Sequence, residues 1–554
     1  MLEPLTLTAL AGAALAALAA LPAARQRLEL SLAKHPSLTG HARMAQRVAR
    51  LLPGYAYDEA RFFGSDGAPA DLQARRREGF ARLAAQLGAR HAASVALTQR
   101  ARAGLSDLQF TGAYRVPFPY RDHLRRHIAI GAFVQRADGV TITDLDGQRF
   151  YDLSGSYGVN LFGHDFYKAC IAEGVARAAD HGAVLGSYHP AVAWNVEQLQ
   201  RISGLDEVSF HMSGTEAVMQ AVRLARYHTR RKYLVRFSGA YHGWWEDVQP
   251  GPGNPMPPGR TYTLKEMDGD TLRVLRRRSD IACVLVNPLQ ALHPNQAAPG
   301  DSSLVDSGRR AHFDAERKAA YGAWLQQLRQ VCTERGIVLI LDEVFMGFRL
   351  GIGGAQDYFG VRADMVTYGK TLGGGLPVGV LCGKAALMKR YREERPADIC
   401  FARGTFNAHP CVMTTMQVFL ERLHSEPVRA MLADIDGPWD RRAARLNAAL
   451  REAGLPVQLA HLASVWTVLY TRPSRYNWML QFYLRAAGLH LSWVGSGRLI
   501  FSLNYSDADF DAVCQRFVAA AQAMQADGWW WQDAALTNRT IRRGLLREML
   551  RHRF

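Results

Sequence analysis

Five short strand-like runs limit what this chain can fold into. They are Glu207–His211, Tyr233–Phe237, Ile281–Val286, Ile337–Leu341 and Met365–Tyr368. Helical stretches are suggested over 215–228, 314–334 and 383–392. Alternation of short apolar runs with helices predicts an α/β domain with a mostly parallel sheet. Ahead of it, Thr141–Asp152 reads as a hairpin turning at Asp146-Gly147. After about residue 412 the pattern returns to helices and a few strands, as expected of a smaller C-terminal domain.

The rest of the chain divides around that core. Residues 1–24 form an apolar segment and 25–115 a helical, Arg/Ala-rich extension. An arm with the hairpin spans 116–165, the large domain 166–410, the small domain 411–527 and a Trp/Arg-rich tail 528–554. Leu5 to Ala24 carries no charge and, at about 20 residues, is long enough to cross a bilayer core once. Arg25 and Arg27 follow it, which would leave the bulk of the chain in the cytoplasm, at the inner face of the cell membrane. The alternative is a helix packed on its own protein or on a dimer partner. In the tail, Trp529-Trp530-Trp531 precedes Arg539, Arg542, Arg543, Arg547, Arg551 and Arg553, with Leu545, Leu546 and Leu550 among them. That pattern suits either a membrane interface or a terminal helix docked by its leucines.

The 67 Lys+Arg against 50 Asp+Glu give a formal net charge of +17. Only eight of the 67 are lysine, so the excess is an arginine bias, and no nucleic-acid-binding motif accompanies it. The seven cysteines are scattered and never spaced C-x-x-C, which excludes a disulfide framework and a zinc site and suits a reducing compartment. No metal is expected.

Against this background one lysine stands out. Lys370 lies in Gly369-Lys-Thr-Leu-Gly-Gly-Gly375, and Asp342 ends the strand-like run upstream. A lysine amine can form a Schiff base with the aldehyde of pyridoxal phosphate, and a buried carboxylate can keep the pyridine nitrogen protonated. A carboxylate at the end of a buried strand is costly without such a partner. A phosphate-loop reading of Gly369-Lys370-Thr371 fails, because its first glycine would fall on Asp364. Met212-Ser-Gly-Thr-Glu-Ala217 follows a strand and opens a helix, a place where a phosphate can sit, though a plain helix cap has the same signature. Tyr241, in Ser238-Gly-Ala-Tyr-His-Gly243, offers an aromatic face for a planar ring.

In order and spacing these motifs resemble class III pyridoxal-phosphate aminotransferases of fold type I, and within them the glutamate-1-semialdehyde aminomutase branch. The resemblance covers roughly residues 127 to 510 and includes Asp342-Glu-Val-Phe-Met-Gly-Phe-Arg349, Gly353-Gly-Ala-Gln356 and Gly404-Thr-Phe-Asn-Ala-His-Pro410. It implies a large domain with a mostly parallel seven-stranded sheet and a smaller α+β C-terminal domain. It further implies that Lys370 carries the cofactor and shuttles a proton, and that Asp342 pairs with the ring nitrogen. Val344 and Tyr241 would pack on opposite ring faces beside His242, and Ser213, Gly214 and Thr215 would cradle the phosphate. Thr405 would reach the phosphate of a second subunit, giving a homodimer with shared sites. Ser156, Tyr157 and Trp244 would lie near the substrate.

Several positions depart from the family pattern. Asn287-Pro288 replaces Glu-Pro, Phe345 stands where many members have Gln, and no glutamate is evident around Leu491–Gly495. The expected activity is transfer from an amino donor to an aldehyde or ketone, acyl-chain or carrier-bound. The alternatives are an aminomutase and a catalytically inactive membrane-surface protein. Arg121, Arg125 and Arg126 are candidates for a substrate carboxylate.

Overall fold

The computed structural model describes residues 21–249, 251–256, 258–296, 314–491 and 497–553. The central sheet has seven strands: β1 (Glu207–His211), β2 (Tyr233–Phe237), β3 (Thr261–Leu264), β4 (Ile281–Val286), β5 (Val338–Asp342), β6 (Met365–Gly369) and β7 (Gly379–Gly383). Their order is β1-β7-β6-β5-β4-β2-β3. From β6 to β3 the neighbours run parallel, whereas β7 pairs antiparallel with both β1 and β6.

Alternate residues of the strands enter two apolar layers, as the two-residue period of a strand demands. Val338 and Ile340 pack with Val218, Ala221, Val222 and Ala225 of the helix Gly214–Thr229. Leu339 and Leu341 join Trp324, Leu325 and Leu328 of the helix Ala315–Arg335 on the other face. All five residues of β5 are buried because helices cover both sides.

The sequence reading missed β3 and β7. The first is only four residues, and the second, Gly-Val-Leu-Cys-Gly, is bounded by glycines that read as loop. The helix expected over 383–392 shrinks to Ala385–Met388, after which Tyr391–Arg392 pairs with Arg395–Ile399.

The small domain draws on both ends of the chain. The strands Val134–Asp138, Thr141–Asp144 and Arg149–Asp152 form an antiparallel meander, and Leu489–His490 adds to it in parallel. A second sheet joins Val457–Leu462, Val465–Tyr470 and Arg498–Ile500. The extension is helical and packs against the C-terminal region. Arg76 is fully buried, pairs with Asp66 at 2.7 Å, donates to the Gly528 carbonyl at 3.0 Å and lies 4.5 Å from the Tyr476 ring centroid.

Of the two readings of the tail, docking of its helix by the leucines is the one corrected. Trp529 and Trp530 are core residues, so they face no bilayer. The last helix, Asn538–Arg553, docks through Ile541 rather than through its leucines, and Leu546 and Leu550 are exposed. Most of the apolar segment 5–24 lies outside the described residues; residues 21–32 are helical. No helix among the described residues is long and apolar enough to cross a membrane.

One buried side chain ties the domains together. Arg349 is 0% exposed and donates to Ser464 Oγ at 2.8 Å and to the carbonyls of Phe501 at 2.9 Å and Asn160 at 3.1 Å. Burial lowers its pKa to about 10, and no carboxylate partner faces it among the described residues. Arg349→Met should therefore lower stability by about 3 kcal/mol, because buried acceptors lose their donors. Chemical denaturation followed by far-UV dichroism checks it; an unchanged midpoint would remove Arg349 from this role.

Candidate active site

The carboxyl ends of β1, β2, β5 and β6 converge on one crevice, where open α/β sheets take their ligands. Asp342 closes β5 and is 4% exposed. His242 Nδ1 donates to its Oδ2 at 2.7 Å, while the Val344 amide and the Thr367 hydroxyl donate to Oδ1 at 3.2 Å each. A carboxylate has about four acceptor positions, so Oδ2 keeps room for one more donor. Thr367 is a contact that sequence alone did not suggest. Its signal is register, since Asp342 pairs directly with Thr367 across β5 and β6.

Lys370 follows β6 with φ 49°, a left-handed conformation that costs a residue with a Cβ. Its Nζ donates to the Tyr157 carbonyl at 2.7 Å and lies 4.4 Å from the Phe345 ring centroid. Tyr157 and Ser156 also have positive φ, 56° and 46°. Three strained residues thus meet around one amine, as happens where surrounding structure fixes a functional geometry. Loss of water is the main cause that lowers the Lys370 pKa to about 8; Asp342 pulls it up, and Arg349 and Arg498 push it down.

The Ser213–Thr215 turn, expected to cradle a phosphate, is built by close packing. Ser213 caps the helix Gly214–Thr229, its Oγ accepting from the Glu216 amide at 3.2 Å, so the capping reading of this motif is correct as far as it goes. A Cβ on Gly214 would come within 2.5 Å of Val344 Cγ1. Gly243 has φ +102°, and a Cβ there would meet Thr215 Oγ1 at 2.5 Å. The helix N-terminus, the Thr215 hydroxyl and Val344 are therefore held against each other with no side chain between, which leaves unpaired helix amides for an anion.

Tyr241 is 56% exposed, at the open side of the crevice. Asn287, which stands where the family has Glu, donates from Nδ2 to the Tyr241 carbonyl at 2.9 Å and so fixes this loop. Trp244 is 70% exposed, next along the same loop. Thr405 is exposed, in a turn flanked by exposed Phe401 and Phe406. Arg121, Arg125 and Arg126 lie on the helix Arg121–His127 in the arm. Of Leu491–Gly495, where no glutamate is evident, all but Leu491 lies outside the described residues.

The chain matches the model of the class-III aminotransferase family over residues 123–246 and 318–520, more than half its length. It belongs to that family. It is 32% identical over 379 residues to the glutamate-1-semialdehyde 2,1-aminomutase of Desulfotalea psychrophila, covering 64% of this chain and 80% of that protein. It is similar to a solved transaminase with pyridoxal phosphate bound, at 26% identity and TM-score 0.60, covering 75% of this chain and 94% of the other. An omega-transaminase from Sphaerobacter thermophilus is similar at 26% identity and TM-score 0.62, covering 78% and 98%. The fold is that of fold type I pyridoxal-phosphate enzymes, and this aminotransferase uses that cofactor.

The residues present fit the group. The free acceptor position on Asp342 Oδ2 matches a pyridinium N–H, His242 Nε2 is buried with no partner among the described residues, and the Gly214 cradle matches a phosphate. When bound, pyridoxal phosphate supplies an aldehyde that captures amines and a ring that spreads negative charge from the substrate carbon. Asp342, oriented by His242 and Thr367, is placed to hold the ring proton, and Lys370 to present its amine.

Two outcomes follow. Capture of pyridoxal phosphate by the apoprotein should accelerate as pH rises and level off above about 8, because only the neutral amine is a nucleophile. A rate still climbing toward about 10.4, the range of a free lysine, would contradict the desolvated site. Gly214→Ala should weaken cofactor binding by about tenfold or more, since overpacking costs about 1–3 kcal/mol; absorbance titration of the apoprotein measures it.

Proposed function

We propose that this enzyme transfers an amino group from an amino donor to an aldehyde or ketone whose body is apolar, an acyl-chain or carrier-bound carbonyl. The observation that carries this reading is the wall around Lys370. The Phe345 ring lies 4.4 Å from the amine, Tyr157 meets the amine through its carbonyl, and exposed Tyr241 and Trp244 stand on the loop whose His242 binds Asp342. An amino-acid side chain with its own polar group would find few partners on such a wall.

In this reading Lys370 Nζ is the base that would take the proton from the substrate carbon beside the nitrogen and hold it for return. The Tyr157 carbonyl orients the amine between those two acts. Asp342 keeps the ring nitrogen protonated throughout, and His242, its Nδ1–H turned to the carboxylate, holds that carboxylate in place. Phe345 keeps water from the amine and preserves its low pKa.

The active unit in this proposal is a homodimer. Phe401, Thr405 and Phe406 are exposed close together in the chain, as are Tyr241 and Trp244 on the crevice loop. Apolar patches of this kind mark interaction surfaces, and a second copy would bring Thr405 to the phosphate cradle.

A second reading keeps the amino group within one substrate. The similarity to aminomutases and the apolar Phe345 favour it. A half-reaction screen separates the two. Amino donors are added singly to the holoenzyme while the visible cofactor band is followed, and products are then analysed with and without donor. Transamination predicts loss of the band with a donor and no product without one; product from a single amino aldehyde alone would establish the mutase. Lys370→Ala should abolish the visible band of the lysine-bound cofactor and lower turnover by about 10⁴-fold or more; a retained band would move the site elsewhere.

A further inference from the structure

The last helix has two chemically opposite faces. Its inner face carries Ile541, Glu548 and His552. Ile541 is 2% exposed. The Glu548 carboxylate accepts from Arg475 at 3.1 Å and from Tyr55 at 3.3 Å, and is also bonded by Tyr57 and Arg61. These partners lower its pKa to about 2, against the desolvation that opposes them, so the acid stays charged and pinned inward. His552 stacks on Tyr55 with ring centroids 4.4 Å apart.

The outer face follows from the helical period of 3.6 residues. Leu546 and Leu550 lie one turn apart on the side opposite Glu548, exposed by 57% and 48%. Arg539, Arg542, Arg543, Arg547 and Arg553 flank them and are exposed. Glu548 is the sole acid in this helix, and it faces away.

A second helix continues the pattern. Arg553 Nη1 donates to the Leu51 carbonyl at 3.4 Å, placing the end of Ala42–Leu51 beside the end of the last helix. Ala42–Leu51 buries Ala45 and Gln46, the latter donating to the Asn254 carbonyl at 2.5 Å. It leaves Arg43, Met44, Arg47, Arg50 and Leu51 exposed and contains no acid. Leu52, next in the chain, is 43% exposed.

We propose that the outer faces of Asn538–Arg553 and Ala42–Leu51 together form a docking surface for an anionic phospholipid bilayer. Leucine and methionine side chains would enter the boundary between headgroups and acyl chains, and the flanking arginines would meet lipid phosphates. Charge complementarity selects this occupant. A second copy on the same face would bring arginine against arginine, and a nucleic acid would leave the leucine ridge without an apolar partner. The surface requires nothing of the substrate, so it stands or falls apart from the transamination reading.

The test is flotation of the full-length holoenzyme with vesicles of phosphatidylcholine, alone or mixed with phosphatidylglycerol, at low and high salt. Three proteins are compared: wild type, R542E/R543E/R547E and L546S/L550S. All replaced residues are exposed, and the cofactor band and melting temperature report that each variant is folded. Wild type should float with the phosphatidylglycerol vesicles and lose binding in salt. Each arginine near a charged surface changes binding about fivefold, so the triple variant should bind at least about a hundredfold more weakly. The leucine variant should also weaken, and without loss of salt dependence.

Equal binding to both vesicle types, or binding unchanged in the triple variant, would overturn the proposal and assign any membrane affinity to another segment. So would failure of wild type to float, a change in solution mass for either variant, or tighter binding to duplex DNA than to the vesicles.

Discussion

A carboxylate buried at the end of a strand in the middle of a seven-stranded sheet is the constraint around which this site is arranged. Asp342 cannot stay charged there without donors. It takes one from its own chain two residues on, one from the adjacent strand and one from His242, which the loop after β2 delivers. Satisfying Asp342 therefore fixes three segments at once: the turn that carries Val344, the register of β5 against β6, and the loop that carries Tyr241. Asn287 holds the same loop from β4 by its bond to the Tyr241 carbonyl. The sheet also sets the separation between Asp342 and the amine by placing Lys370 at the end of the adjacent strand.

The strain around Lys370 is the complement of that rigidity. A lysine at φ 49° beside two further positive-φ residues is not what local preference would choose. The conformation persists because the Ser156–Tyr157 turn is itself pinned. Ile500 donates to the Leu153 carbonyl at 2.9 Å just before it, and Arg349 binds the Asn160 carbonyl just after it. The C-terminal domain thus bears directly on the atoms that touch the amine. A movement of that domain on substrate binding would be felt at Lys370 Nζ through Tyr157.

How much of this was legible follows from what each signal depends on. Lys370, Asp342 and the Ser213–Ala217 loop were readable because their chemistry is local: a rare lysine among glycines, an acid ending an apolar run, a cap opening a helix. All five expected strands are present within a residue or so of their limits. β7 was not readable, because a glycine-bounded strand gains its identity only from the partners on both sides. Thr367 and Asn287 were opaque for the same reason, since their roles exist only once register and loop positions are set. Tyr157 was named as a substrate neighbour from the family pattern, but its carbonyl rather than its ring meets the lysine.

The N-terminal extension carries no catalytic motif, but its contacts are those of a core element. Arg76 sits between Asp66, the Phe63 carbonyl and the Gly528 carbonyl, with Tyr476 and Trp529 against its guanidinium. Tyr476 in turn donates to the Phe62 carbonyl at 2.7 Å. The contacts of Arg76 with Gly528 and Trp529 and of Tyr476 with Phe62 join residues more than four hundred positions apart, and without the extension Tyr476 and Trp529, both 0% exposed, would face water. The extension therefore belongs to the C-terminal hydrophobic core. Glu548 belongs to the same junction, and its four partners turn the acid of the last helix inward, leaving arginines and leucines outside. The orientation of that outer face is thus a consequence of how the two chain ends pack, and it could not have been deduced from either end alone.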